Sequence, residues 1–374
     1  MKGSRTIQLA AISVAGSVGS IVCGLTAVAL FLTLAGRNAM GIYAGIYTSA
    51  FGDGFALSET LVAATPIMLC ALGVAVAGRV GLMNIGVEGQ LLAGAIASTF
   101  VALTLSATTP SWAMLSLMGL AACLCGAIWS GIPGFLKVRL NVNETIVSLL
   151  LNYVAALVVE YLIHGPWQDP TTSSWPQTQA FPPCAELLHL PGSRIHLGFF
   201  FAVSIGLIMA VVLSKTRAGF RASVIGKNPE AAKYAHYPVR RYLIIAMLLS
   251  GAVAAIAGFS QVSAIEGRLR SGLSPGYGYT GFLVCWLARQ NPLAIIITAI
   301  LMGGFLSGAD SLQLSEKLPF ATVNIVQGAI FIFLLASETF LKQLAARAQL
   351  SISNSTEARA KAAVPVAIVP EEKQ

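Results

Sequence analysis

Charge is what this chain has least of. Of its 374 residues only 10% are Asp, Glu, Lys or Arg, while 56% are hydrophobic and the mean hydropathy is +0.77. Soluble domains carry roughly 25% charged residues, so a water-facing surface cannot be built at this length and the solvent is lipid. Alternating strands are missing too: the apolar runs are long and continuous, which excludes a β-barrel. There is no GxxxxGK[ST], so ATP binding and hydrolysis by a Walker-type loop is excluded. His164, His189, His196 and His236 show no HExxH spacing, and no serine nucleophile elbow appears. Neither an enzyme, a metal nor a cofactor is called for. Cys23, Cys70, Cys123, Cys125 and Cys285 fall in apolar runs and Cys184 alone in a polar loop, which is no disulfide framework.

What is present is hydrophobic length, in runs near 9–35, 57–78, 88–107, 113–136, 145–164, 198–214, 242–263, 279–289, 292–310 and 320–341. A helical span needs about 20 apolar residues. The first run is longer than the roughly 7–15 residues of a signal h-region, so it reads as a retained span. Net charge is +8, and its placement is orientational. With the N-terminal MKGSR inside, 36–56 and 165–197 fall outside, and the basic loops 137–143 and 215–241 fall inside. The tail after Lys342 is basic and belongs inside as well. The expectation is an all-α integral membrane protein of about ten segments, both termini cytoplasmic. Its permease domain covers 1–341, followed by a disordered tail over 342–374. The run 279–289 is short and broken at Asn291-Pro292; eight full crossings plus a re-entrant pair fits equally. The Pro- and Trp-containing stretch 165–197 reads as a compact cap on the outer side.

Two Gly-rich breaks echo each other, GRVGLMNIGVEGQLLAGAIAS at 78–98 and GRLRSGLSPGYGYTGFLVCWLA at 267–288. Each precedes an apolar helix, as in an inverted repeat whose broken helices border a transport path. Asn84, Glu88 and Gln90 lie in the first break. A carboxylate at bilayer depth costs on the order of 3 kcal/mol unless partnered, and a helix starting near Glu88 offsets part of that. The segment reads as pathway-bordering, with Glu88 itself holding the fold. Asn143 and Glu144 suit a capped helix start. Asn152, two turns further on, needs an interhelical partner or a substrate. Tyr277 and Tyr279 in the second break offer faces for a flat or sugar-like solute, or serve as interfacial aromatics.

The loop Lys215–Arg241 sets seven basic residues against Glu230 alone. Good helix formers over 228–235 predict a short helix on the cytoplasmic face, a handle for something in the cytosol. GLMNIGVEGQLLAGA, NVNETIVSLLLNYVA and IGKNPEAAKYAHYPVRRYLIIAMLLSGAVAAIAG resemble permease subunits of ABC importers in the simple-sugar and nucleoside branch, over roughly 57–340. The NIG-x-EGQ core is similar to the nucleoside-importing members. AAKYA with the preceding Gly226-x-Asn228 resembles their coupling segment, although His236 stands where those permeases usually have Gly. The 165–197 loop matches no family pattern.

The resemblance implies a permease pair (same or paralogous chains) in the cell membrane, cytoplasmic ABC ATPases and an extracytoplasmic solute-binding protein. It also implies that Gly226, Asn228, Pro229, Glu230, Ala231, Ala232 and Tyr234 receive the ATPase stroke. The competing readings are a stand-alone ion-coupled transporter using Glu88, Glu144 and Glu160, and a scaffold for a membrane complex.

Overall fold

The computed structural model describes residues 38–171 and 175–316, with a few isolated residues nearer the ends. Two compact units divide the chain, 42–317 and 1–41 with 318–374, and almost everything described belongs to the first. The expected spans 9–35 and 320–341, the tail from 342 and the side of both termini lie outside the described residues. Regular structure among the described residues is helical, apart from two isolated bridges. In order the helices are α1 (Ala39–Phe51), α2 (Gly54–Arg79), α3 (Val87–Thr104), α4 (Ser111–Leu140), α5 (Glu144–His164), α6 (Leu197–Lys215), α7 (Arg217–Lys227), α8 (Pro229–Tyr234), α9 (Val239–Ser260), α10 (Tyr277–Leu287) and α11 (Pro292–Glu316).

Seven of these have the length and apolar content to cross a bilayer, α9 doing so together with the π-helical turn Gln261–Glu266. The described residues thus contain seven candidate spans where ten segments were expected. One of the other three is α10, whose 11 residues reach only about 16 Å against a hydrocarbon core of about 30 Å. The remaining two are the undescribed runs. The α10–α11 break uses Arg289 and Gln290, both at positive φ (52° and 57°), ahead of Pro292.

α2 is the central helix. It starts where the Asp53 carboxylate accepts the Ala56 N–H (2.7 Å), a side-chain N-cap. From Ala64 to Ala75 every residue is buried. α3, α4 and α9 close on one another through Gly94, Gly126, Gly251 and Gly258, where an added Cβ would strike the neighbouring helix. Small residues of this kind let membrane helices approach backbone to backbone. The outer helices invert the soluble pattern: Leu120, Leu124 and Ile128 of α4, Leu157 of α5 and Ile208 of α6 are exposed. That is the surface lipid requires, because all backbone polar groups are satisfied within the helices.

Two boundaries differ from expectation. α4 runs to Leu140, so Lys137 and Arg139 sit in its last turn instead of in a loop; cations there complement the helix dipole. The basic segment 215–241 forms two helices, α7 and α8, where one was expected. Residues 178–189 lie against 263–269. Thr178 and Phe181 donate backbone N–H groups to the carbonyls of Leu269 (2.9 Å) and Gly267 (2.8 Å), and Leu187 donates to Ser263 (3.1 Å). His189 Nε2 meets the Ala264 carbonyl (3.0 Å). These contacts supply partners for backbone groups around the π-turn, which its altered register leaves outside the usual helical ladder.

Candidate functional site: two broken segments and a coupling helix

The first break spans 80–86, between the end of α2 and the start of α3. The last residue before α3, Gly86, has no side chain to cap it. Other residues take over. Asn84 Oδ1 accepts the Gly86 N–H (3.0 Å). Asn152, reaching in from α5, accepts the Gly89 N–H at Oδ1 (2.8 Å) and donates from Nδ2 to the Ile85 carbonyl (3.0 Å). One amide therefore staples the unwound segment to the first turn of the helix that follows, serving as a cap from another helix. Asn84 and Gln90 form a reciprocal amide pair, with both Nδ2···Oε1 and Nε2···Oδ1 at 3.0 Å. Asn84 also donates to Ser250 Oγ of α9 (2.8 Å), and Ser250 donates to the Gly73 carbonyl of α2 (2.6 Å). Every polar group in this chain of contacts is matched, the condition for burying amides in an apolar interior.

The second break, 267–276, precedes α10 and meets the first. Glu88 Oε2 accepts the Gly278 N–H (2.6 Å), and the Ser274 hydroxyl bonds the same carboxylate. Ser274 Oγ in turn accepts the N–H groups of Gly276 (3.3 Å) and Tyr277 (3.1 Å). Glu88 thus lies in the first turn of its own helix and caps α10 as well. Two positive helix ends face one acid, which explains how a carboxylate only 7% exposed persists here. At Gly278 any Cβ would fall 2.4 Å from the Glu88 nitrogen, so glycine is the residue that lets the two helix starts touch.

Between α3, α5 and the 270–274 segment lies a cavity of about 230 Å³, with Glu88, Asn152, Glu160, Arg270, Ser274 and Tyr279 on its wall. Of the pathway candidates, Glu88, Asn152 and Tyr279 face this space, and the Asn152 amide donates to the Tyr279 hydroxyl (3.3 Å). Asn84 and Gln90 are sealed behind them in the α2–α3–α9 contact, and Tyr277 is not a lining residue. Glu144 and Asn143 start α5 as expected: Asn143 Oδ1 accepts the Thr145 N–H (2.9 Å), and Glu144 pairs with Lys137 (3.0 Å). Ser250, Ser274, Gly278 and Arg270 were not singled out from sequence. Ser250 and Gly278 meet partners 166 or more residues away, and Arg270 and Ser274 gain their place on the cavity wall only when the second break packs against α3 and α5.

The coupling segment is built from below by the same bundle. Asn228 caps α8 by accepting the Ala231 N–H (3.0 Å), with Pro229 in the first turn. Glu230 pairs with Lys233 at 2.8 Å on the open side. Tyr234 is 84% exposed, while Ala232 is fully buried. Ala232 packs with Ala77, Val80, Leu82, Ile225 and Met247, joining the α7–α8 pair to the end of α2 and to the residue two before Asn84. Gly226 sits against backbone: a Cβ there would lie 2.5 Å from the Arg79 carbonyl oxygen and 3.0 Å from the Gly81 nitrogen.

α8 ends in a Schellman motif. Tyr237 N–H bonds the Ala232 carbonyl (3.0 Å) and His236 N–H the Lys233 carbonyl (2.9 Å). His236 takes the left-handed position (φ 56°) that favours Gly. The departure at His236 therefore leaves the turn intact.

A lipid-facing helical bundle, opened at its centre by two unwound segments around a polar cavity, defines the class: a membrane-embedded transport permease. Residues 56–335 match the family described as branched-chain amino acid transport system / permease component, and the chain belongs to that family. It is similar to the glucose ABC transporter permease protein TsgB13 of Haloferax volcanii, at 37% identity over 80% of each chain. It is also similar to the guanosine ABC transporter permease protein NupP of Bacillus subtilis, at 33% identity over 85% of this chain and 92% of that one. The nucleoside ABC transporter permease protein NupB of Lactococcus lactis is 31% identical over 84% of this chain and 88% of its own. The chain is thus an ABC transporter permease subunit, a multi-pass component that works with ATPase partners.

Proposed function

We infer that this chain forms part of the translocation path of an ATP-driven importer for nucleosides or related sugars. In this reading it pairs with a second permease subunit, same or paralogous, and receives cargo from an extracytoplasmic binding protein. Cytoplasmic ATPases drive it through Gly226 and the Asn228–Tyr234 helix, and both termini lie in the cytoplasm. The path runs by the two breaks, with Glu88, Asn152 and Tyr279 on its wall, Asn84 and Gln90 holding the first break in shape, and Tyr277 beside the second.

One observation carries the reading. The exposed α8 has a single buried anchor, Ala232, in the same cluster as Val80 and Leu82 at the mouth of the first break. A push on α8 is therefore delivered to Val80 and Leu82, at the start of the first break and two residues before Asn84. Rigid packed contacts of this kind transmit displacement because packed interiors compress little. The names of the relatives, glucose, guanosine and nucleoside permeases, support a polar, sugar-containing cargo.

The test is uptake of labelled guanosine and glucose by proteoliposomes holding the complete transporter. Deleting or charge-reversing Glu230–Tyr234 is expected to abolish ATP-driven uptake while membrane insertion is preserved. Unchanged uptake in that variant, or uptake by the purified subunit on an ion gradient alone, would overturn the reading.

A further inference from the structure

The cavity at the meeting of the breaks has a chemistry more specific than a polar passage. Two carboxylates face it, Glu88 and Glu160, from α3 and α5. The cation on the same wall, Arg270, is already held by Glu266 at Nη2 (2.8 Å) and Nε. Glu160 accepts the Ser271 hydroxyl at one oxygen, joining α5 to the strap before α10, and its other oxygen lies 3.4 Å from His164 Nδ1 one turn on in α5. Tyr279 adds an aromatic face and a hydroxyl whose proton is free to be donated, since its oxygen accepts from Asn152. The volume of about 230 Å³ lies below the roughly 300 Å³ where drug-sized pockets begin. It suits one sugar ring, and a nucleobase would have to project through the open side.

We propose that this cavity is a transient site for the sugar moiety of a neutral, hydroxyl-rich solute, and that Glu160 and Glu88 make it reject the phosphorylated form of the same sugar. The proposal rests on the importer reading above and adds the selecting chemistry to it. Sugar hydroxyls donate to carboxylate oxygens in charge-assisted hydrogen bonds, while the pyranose or furanose face lies against Tyr279. A phosphate ester brings charge of the wrong sign. At about 6 Å from a carboxylate and an effective dielectric of about 20, each negative charge is disfavoured roughly a hundredfold. Such a filter would keep phosphorylated metabolites from passing when the path opens inward.

Saturation-transfer NMR on the permease–ATPase complex in nanodiscs, without binding protein, tests this directly. The probes are ribose, guanosine and ribose 5-phosphate at equal concentration. The expected result is transfer to the ribose ring protons of the first two and at least a tenfold weaker signal from the phosphate. Glu160→Lys, at a side chain 41% exposed, reverses the charge at the open side of the cavity and is expected to raise the phosphate signal to that of ribose. Tyr279→Phe is expected to weaken ribose transfer while leaving the phosphate excluded. Equal signals from ribose and ribose 5-phosphate in the wild type, or a Glu160→Lys protein that still excludes the phosphate, would overturn the proposal. ATP-driven guanosine uptake with no transfer to ribose overturns this site and leaves the importer reading standing. Ribose transfer in a transporter that shows no ATP-driven uptake does the reverse.

Discussion

Asn152→Ala is the most direct test of how the first break is held. The substitution removes three hydrogen bonds: Gly89 N–H to Oδ1 at 2.8 Å, Nδ2 to the Ile85 carbonyl at 3.0 Å, and Nδ2 to the Tyr279 hydroxyl at 3.3 Å. The first two leave a backbone donor and a backbone acceptor without partners in a buried place. In water-soluble interiors an orphaned group costs about 1–3 kcal/mol. Interhelical hydrogen bonds in membranes average about 0.6 and reach about 1.7 kcal/mol, because the dissociated helices find other partners. Two strong contacts and one weak one therefore add to about 2–3 kcal/mol.

Intrinsic-fluorescence melting of the detergent-solubilised protein reads this as a fall in Tm of several degrees, at roughly 2–4 °C per kcal/mol for a unit of this size. Tyr279→Phe removes only the 3.3 Å contact and is expected to melt within about 1 °C of the wild type, since one long contact is worth a few tenths of a kcal/mol. An Asn152→Ala protein that melts with the wild type, or Tyr279→Phe costing as much as Asn152→Ala, would refute the cap-from-another-helix account.

Other outcomes follow from the same geometry. Gly226→Ala forces a methyl to within 2.5 Å of the Arg79 carbonyl oxygen. About 1–3 kcal/mol of overpacking strain is expected to lift α7 off α2, so that reconstituted ATPase activity persists while guanosine uptake falls. Normal uptake per ATP in that variant would break the transmission route. His236→Gly relieves a left-handed non-glycine residue and is expected to stabilise by about 1 kcal/mol, raising Tm, with no gain if the His236 ring makes compensating contacts.

His196, the N-cap of α6, accepts the Gly198 N–H at Nδ1 (3.1 Å). Burial, then the neighbouring His189, lowers its pKa to about 4. Its neutral form is the folded one, so the contribution is complete above the unfolded pKa near 6.5 and is lost as pH falls from there through about 4. That amounts to about 3 kcal/mol at most. Melting curves at pH 7.5 and 4.5 are expected to differ by less in His196→Asn, which keeps a capping acceptor without titrating; an unchanged pH dependence would remove His196 as its source.

Much of the bundle was legible before any coordinates. The spans matching α2 to α6, α9 and α11 could be read from apolar length because a bilayer imposes one thickness on every crossing. The break before Pro292 followed from proline chemistry, and the cap at Asn143 from its place ahead of a helix start; the cap at Asn228 emerged only with the structure. The Gly-rich segments were recognisable as breaks for the same reason: glycine weakens a helix wherever it clusters. α7 was not foreseen, because Arg217–Lys227 is mostly basic and small residues with only Phe220, Val224 and Ile225 as large apolar ones, and it takes its stability from packing Ile225 into the α2–α9 cluster. The sequence also placed Asn84, Glu88 and Gln90 in one group, whereas the structure assigns them different work.

Composition and local order alone determined the all-helical membrane class of this protein, the position of its long apolar spans and several of its helix breaks, since each depends on residues near one another in the chain. Which polar side chains face the cavity and which are sealed was decided only by tertiary structure. Asn152 reaches back 63 residues to Gly89, Glu88 forward 190 to Gly278, and Asn84 forward 166 to Ser250. Pairings over such distances are set by how helices pack and cross, and no periodicity in the chain encodes that register.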